Sequence, residues 1–234
     1  MTGTTRVPAR GLELQAAGVT PAVVDVFDAA ALRDEVLAAR PDVIVHQLTD
    51  LPRGLPPERM AEAIERNARV RREGTANLVQ AAVHARVARI VAQSIAWAYA
   101  ASPAPVTEDA PLDSAATGLR SVTVGGVVAL ERLVTSTPEI AGLVLRYGRL
   151  YGPGTGADAP GEAPTVHVDA AASAAVQALT RGAAGAYNVV DDGSPISNLK
   201  ARRELAWDPA FRRGRGDRLG GADLALRLRE QALE

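Results

Sequence analysis

Ser94 closes the apolar run ARIVAQS (88–94), His46 lies near the end of DVIVHQL (42–48), and Asp50 follows shortly after. A serine, a histidine and a carboxylate are the parts of a hydrolase triad. No G-x-S-x-G elbow surrounds Ser94, however, so the residue types alone do not encode a nucleophile. A strand-end serine more commonly bonds local backbone, and a strand-end histidine is more commonly packed and hydrogen-bonded. His167 and Asp169 have the spacing of two metal ligands, but with three histidines in the chain and no clustering, capping of the next helix is the favoured role and no metal site is expected. Tyr99, Tyr147 and Tyr151 could donate protons, with core packing and a satisfied hydroxyl as the default. Arg146, Arg149 and Tyr151 fall close together in LRYGRLYGPG (145–154), where the two guanidiniums could grip a phosphate or carboxylate of a small-molecule substrate.

The elements that must position these residues alternate. AVVDV (22–26), DVIVHQL (42–48), ARIVAQS (88–94), GLVLRYG (142–148) and AYNVV (186–190) are short, β-branched and bounded by Pro, Gly or polar residues, as buried strands are. Helical stretches separate them at about 28–39, 58–86, 120–136 and 169–181, with Asp28 and Asp169 as expected N-caps. That alternation predicts an α/β fold, a doubly wound parallel sheet with right-handed crossovers. GPGTGADAPGEAP (152–164) predicts a loop. The organisation expected is a core over 1–192, with a shortened substrate region at about 152–165, and a polar, basic-rich extension over 193–234.

Composition restricts the function classes. The chain of 234 residues is 47% apolar and 23% charged with net charge −1, which suits an ordinary globular domain and argues against nucleic-acid or anionic-membrane partners. In KARRELAWDPAFRRGRGDR (200–218), acidic residues interrupt the basic ones and no aromatic ladder accompanies them, so a solvated surface is expected there. There is no cysteine, hence no disulfide or thiolate chemistry. No apolar run approaches the ~20 residues of a membrane span, and no signal-peptide pattern opens the sequence, so a cytoplasmic location is expected.

Several stretches, in one order along the chain, resemble the NAD(P)-dependent epimerase/dehydratase family, the extended branch of the short-chain dehydrogenases. They are VVDVFDAAAL (23–32), ARPDVIVHQLT (39–49), REGTANLVQAA (72–82), RIVAQSIAWAY (89–99), LRYGRLYGPG (145–154), VHVDAAASAAVQAL (166–179) and NLKARRELAWDP (198–209). The resemblance implies a Rossmann-like sheet and NADP or NAD as cofactor. Arg6, at the end of TGTTR (2–6), would then meet a 2′-phosphate, and Asp25 and Val26 would flank the adenine. Leu48, Thr49, Tyr147 and Gly148 would line the rest of the cofactor site, and Ser94 falls at or beside the catalytic Ser/Thr. It further implies a homodimer through the helices near 58–86 and 120–136.

Two departures from the family shape the functional expectation. The sequence has no G-x-x-G-x-x-G turn, so the core is expected to lack the family's first strand and glycine loop and to bind the dinucleotide weakly or not at all. The strand at 22–26 is then expected either to pair beside 42–48 or to stay poorly packed, with the second outcome favoured. In TVGGVVALERLV (123–134), the family's Tyr-x-x-x-Lys pair is replaced by Thr123 and Val127. Thr123 is the residual catalytic candidate beside Ser94, but threonine has no accessible pKa for proton transfer and valine no charge to tune it. The leading expectation is a degenerate family-like protein without the usual hydride transfer, non-redox or accessory in a biosynthetic pathway. The alternatives are an NADP-dependent oxidoreductase or epimerase on a small or sugar-like substrate whose gene model lacks its N-terminus, and a non-catalytic dimeric binding protein.

Overall fold

Alternation of side chains along two central strands decides the architecture. In the computed structural model, which describes residues 1–52 and 56–214, β4 (Arg89–Ile95) and β5 (Ala141–Tyr147) lie side by side and are buried almost throughout. Ile90, Ala92 and Val144 point to one face and join a core with Leu78, Val79, Ala82, Leu130 and Val134. Val91, Leu143, Leu145 and Tyr147 point to the other and pack with Ala170, Ala174, Ala201, Leu205 and Trp207. A parallel sheet covered on both faces needs such continuous apolar strands. β3 (Val43–His46) and β8 (Gly185–Val189) flank this pair, giving an all-parallel sheet in the order β3-β4-β5-β8.

The helices that cover it follow local signals. α2 (Ala29–Ala39) begins where the Asp28 carboxylate accepts the Ala31 N–H at 3.0 Å and ends at Arg40 in the left-handed conformation. α3 (Pro57–Arg69) runs into α4 (Thr75–His84) through a π-helical turn, Val70–Gly74, so the single expected helix is one rod with a bulge. α5 (Gly118–Thr135) packs on this rod, and Gly126 permits the approach: a Cβ there would lie 3.1 Å from the Ala68 Cα. α6 (Val168–Gln177) is capped by His167, whose Nδ1 accepts the Asp169 N–H at 3.2 Å. The expected cap, Asp169, sits instead in the first turn, where its charge favours the helix dipole.

The N-terminal segment forms a sheet of its own. β1 (Thr2–Thr5) and β2 (Thr20–Val23), joined through α1 (Gly11–Ala16), pair in parallel and do not bond to β3. The expected choice between pairing beside 42–48 and having no partner is resolved otherwise: residues 2–5 provide the partner, and the ladder extends to Val24, whose N–H donates to the Thr5 carbonyl at 3.0 Å. α2 attaches this unit by packing Leu32 and Val36 into the core shared with α4.

Two short strands, β6 (Arg149–Tyr151) and β7 (Thr165–His167), pair around the loop expected at 152–164. The extension expected from 193 does not begin as solvated surface. α7 (Leu199–Leu205) buries Ala201 and Leu205, and the Trp207 indole donates to the Ala170 carbonyl at 2.7 Å. Burial of these apolar side chains outweighs the basic residues: Arg202 and Arg203 face solvent, while Lys200 donates to the Ala186 carbonyl at 2.8 Å. Positions 215–218 of the basic run, and the rest of the extension, lie outside the described residues.

Candidate functional site

Open parallel sheets present ligands at the carboxyl ends of their strands. Ser94, Arg146 and Asn188 stand level across β4, β5 and β8, and α5 brings Glu131 over them. The Ser94 hydroxyl donates to Glu131 Oε1 at 2.6 Å. Arg146 forks onto the same carboxylate, Nε to Oε1 at 3.0 Å and Nη2 to Oε2 at 2.6 Å. Its Nη1 reaches the Tyr99 hydroxyl at 2.6 Å and the Glu108 carbonyl at 3.0 Å. Tyr99 in turn donates to Asn188 Oδ1 at 2.6 Å, and the Asn188 N–H donates to Glu108 Oε1 at 2.8 Å.

This network is saturated, and that fixes what its members can do. Burial alone would lower the Arg146 pKa, but the hydrogen bonds and charge of Glu131 hold it above the ordinary arginine value. Arg146 therefore grips an internal carboxylate and is not free for a ligand, which corrects the anion-binding expectation for that residue. Ser94, 1% exposed, has its proton committed to Glu131. Burial pushes the Tyr99 and Tyr147 hydroxyls above the usual tyrosine value, against proton donation at neutral pH.

The other expected residues are distributed around this core. Thr123 donates its hydroxyl to the Leu119 carbonyl at 3.2 Å, while Val127 is fully buried. His46 contacts the Thr75 hydroxyl at 2.8 Å and Asp50 pairs with Arg6 at 2.9 Å, so Ser94, His46 and Asp50 each have other partners and make no triad. Asp25 accepts the Phe27 N–H at 2.9 Å, and the Val26 carbonyl accepts from Asn77 Nδ2 at 2.9 Å, which fixes the turn after β2. The Leu48 N–H leans on His46 Nδ1 at 3.4 Å, and Thr49 is exposed beside it. The Gly148 N–H donates to the Val189 carbonyl at 3.0 Å, and a Cβ there would fall 2.5 Å from the Thr165 backbone. Arg149 bonds the Glu162 and Ala163 carbonyls at 3.1 and 3.2 Å and lies over Trp97; the Tyr151 hydroxyl accepts from Arg212 at 3.2 Å.

One charged residue was not singled out from the sequence. Arg71, in the π-helical turn, is 8% exposed, and its aliphatic stem passes Gly126, where a Cβ would stand 3.4 Å from the Arg71 Cδ. The available signal was its place on the buried stripe Asn67–Arg71–Thr75, one helical turn apart each time. Burial lowers its pKa to about 10, opposed by the charge of Glu131. His46 is held down to about 4, by burial first and by Arg71 second. Among the described residues, no group of three His, Asp or Glu could hold a metal ion, and no helix is long and apolar enough to cross a membrane.

No family model matches the chain. Over 194 residues, it is 46% identical to a 3-diazoavenalumate denitrifying reductase from a Streptomyces species, an alignment covering 73% of this chain and 62% of that protein. The chain thus spans about three fifths of the length of this relative. Among solved structures, the UDP-glucose 4-epimerase of Thermotoga maritima with UDP-glucose superposes with a TM-score of 0.70 at 14% identity, covering 99% of this chain and 91% of that one. The UDP-glucose 4-epimerase of Thermus thermophilus, in complex with NAD, gives 0.65 at 18% identity over 89% and 85%. The Streptomyces venezuelae dTDP-glucose 4,6-dehydratase DesIV, with NAD bound, gives 0.65 at 18% over 92% and 81%. The chain has the Rossmann fold of the NAD-dependent UDP-glucose 4-epimerases and dTDP-glucose 4,6-dehydratases.

Proposed function

We propose that this chain belongs to a nicotinamide-dependent reductase that replaces a carbon-bound diazonium group by hydrogen, releasing dinitrogen. The observation that carries the reading is the pair Thr123 and Val127 on an otherwise ordered α5. A carbonyl reduction needs a proton for the developing alkoxide, and here Thr123 offers only a hydroxyl bonded to its own helix. Removal of a diazonium group needs none. The C–N bond breaks with its electron pair leaving on dinitrogen, a C–H bond forms with the incoming hydride, and the donor is oxidised by two electrons. The relative at 46% identity is named for a reaction of this class.

The described residues fit the dinucleotide in part. Asp25 and Val26 stand at the carboxyl end of β2, where the Val26 turn is held by Asn77, and they suit the adenosine end. Arg6 must leave Asp50 to reach a phosphate. No described strand-to-helix turn offers the glycine-rich row of backbone N–H groups that cradles a pyrophosphate. Bound at this edge, a reduced nicotinamide would supply the hydride. What the chain itself contributes is the rigid Ser94–Glu131–Arg146 floor and a proton-poor wall on α5. Cofactor affinity for the 234 residues is expected in the high-micromolar range, about 5–6 kcal/mol of binding free energy, read by calorimetry with NADPH and NADH.

The test is reduction of an aryl diazonium carboxylate by the purified chain at millimolar NADPH, with deuterium placed first on the donor and then in the solvent. Donor deuterium should appear at the carbon that lost nitrogen, and solvent deuterium should not. Solvent label in the product would show that a protein or water proton is used and would reject the mechanism. Absence of turnover with retained fold would favour the degenerate or accessory reading.

A further inference from the structure

The buried charges at the carboxyl edge do not balance locally. Arg71 and Arg146 are both at least nine-tenths buried, and the carboxylate between them is that of Glu131. Both of its oxygens are taken, by Arg146 and Ser94, and no ion pair within salt-bridge distance joins it to Arg71. Glu108 lies beyond Arg146, on the Tyr99–Asn188 side, and is not among the groups that act on Arg71. His46, the remaining titratable neighbour, is neutral at physiological pH and bonded to Thr75. Asp50, near the same strand end, is held by Arg6 and Arg66. Arg71 thus has no hydrogen bond or ion pair among the described residues, unlike Arg146 beside it.

A guanidinium whose stem is buried and whose tip has no protein partner depends on water or on a bound group to meet its charge. Its nitrogens are not sealed in, since no buried side-chain nitrogen is left without a partner. The tip therefore reaches solvent while the stem is clamped against the Gly126 position of α5. The π-helical turn sets it there, adding a residue to the rod where α5 crosses, and such bulges recur at functional sites. A planar fork of donors, already fixed in orientation and lacking an anion, matches an oxyanion bound through two parallel hydrogen bonds.

We propose that Arg71 is an anion-binding residue, receiving a carboxylate or phosphate group of a small-molecule ligand at the solvent-reaching tip of its guanidinium. The assignment does not require any redox step, so it stands or falls apart from the reductase reading. In that reading, though, the ligand group would be the substrate's carboxylate, with the reacting end directed towards the Thr123 end of α5.

The experiment is titration of the purified chain with trans-cinnamate in one arm and inorganic phosphate in the other, on wild type, Arg71→Gln and Arg71→Lys. Saturable binding to wild type is expected in at least one arm, weakened about tenfold or more in Arg71→Gln and partly kept in Arg71→Lys, whose charge survives without the fork. The arm that binds identifies the anion class. A second readout uses wild type alone, so it does not depend on the variants folding: the bound anion should raise the His46 pKa measured by NMR, by screening the Arg71 charge. Equal affinity in wild type and Arg71→Gln, or saturation of neither anion, or binding that leaves His46 unmoved, overturns the proposal.

Discussion

The Glu131–Arg146 pair shows how a residue can look functional in sequence and prove to be scaffold in space. Both partners are buried and doubly bonded, so removing one strands the other. Glu131→Ala is expected to lose about 3–5 kcal/mol in urea unfolding, whereas replacing both by well-packed apolar residues should recover a large part of that loss. A pair that mattered only at the surface would cost under about 1 kcal/mol. His46 gives a pH signature. Its folded pKa, about 4, lies below the ordinary 6.5, so the unfolded chain binds the extra proton first. The stability it contributes is present above pH 6.5 and falls as pH drops towards 4. Thermal melts of wild type and His46→Asn across this window should converge at low pH; parallel curves would refute the assignment. Arg146 and Ser94 were visible in the sequence as polar residues at strand ends, but not their shared partner. Glu131 reads as an ordinary surface residue of an amphipathic helix until α5 is laid across the sheet.

At the scale of elements, the apolar runs at 88–94, 142–148 and 186–190 lie within a residue or two of the observed strands, because burial on both faces leaves few other readings. What periodicity could not show was the π-helical turn, α7 as an element that packs, and the partner of β2. Each depends on a contact far away in the chain: α5 on the rod, Trp207 on α6, and residues 2–5 on 20–23. Gly142 illustrates the same dependence. A Cβ there would sit 1.9 Å from the Val134 carbonyl oxygen, so the last turn of α5 rests on bare backbone of β5. Gly142→Ala should cost about 1–3 kcal/mol or more by forcing the helix outward. Alanine at Gly125, where nothing lies within 4 Å, is the matched control and should be tolerated.

For the molecule as a whole, the homodimer remains a proposal, supported by the outer side of α5, where Val128 is exposed beside the open Gly125 position. Sedimentation at tens of micromolar should give a dimer, and Val128→Glu a monomer with its fold intact; monomer for both would dismiss this interface. The division of the strands into separate sheets bears on how the molecule comes apart. No ladder hydrogen bond crosses from β1–β2 to the main sheet, and the apolar joint is Val24 and Val26 after β2 with Leu32 and Val36 of α2, against the α4 core. Cooperativity between the two units then rests on that joint and on the Arg6–Asp50 and Asn77–Val26 links. In calorimetry, the enthalpy computed from the width of the transition should fall short of the measured heat. Val36→Ala should widen the mismatch, melting residues 1–40 earlier while leaving the β4–β5 transition near its original temperature.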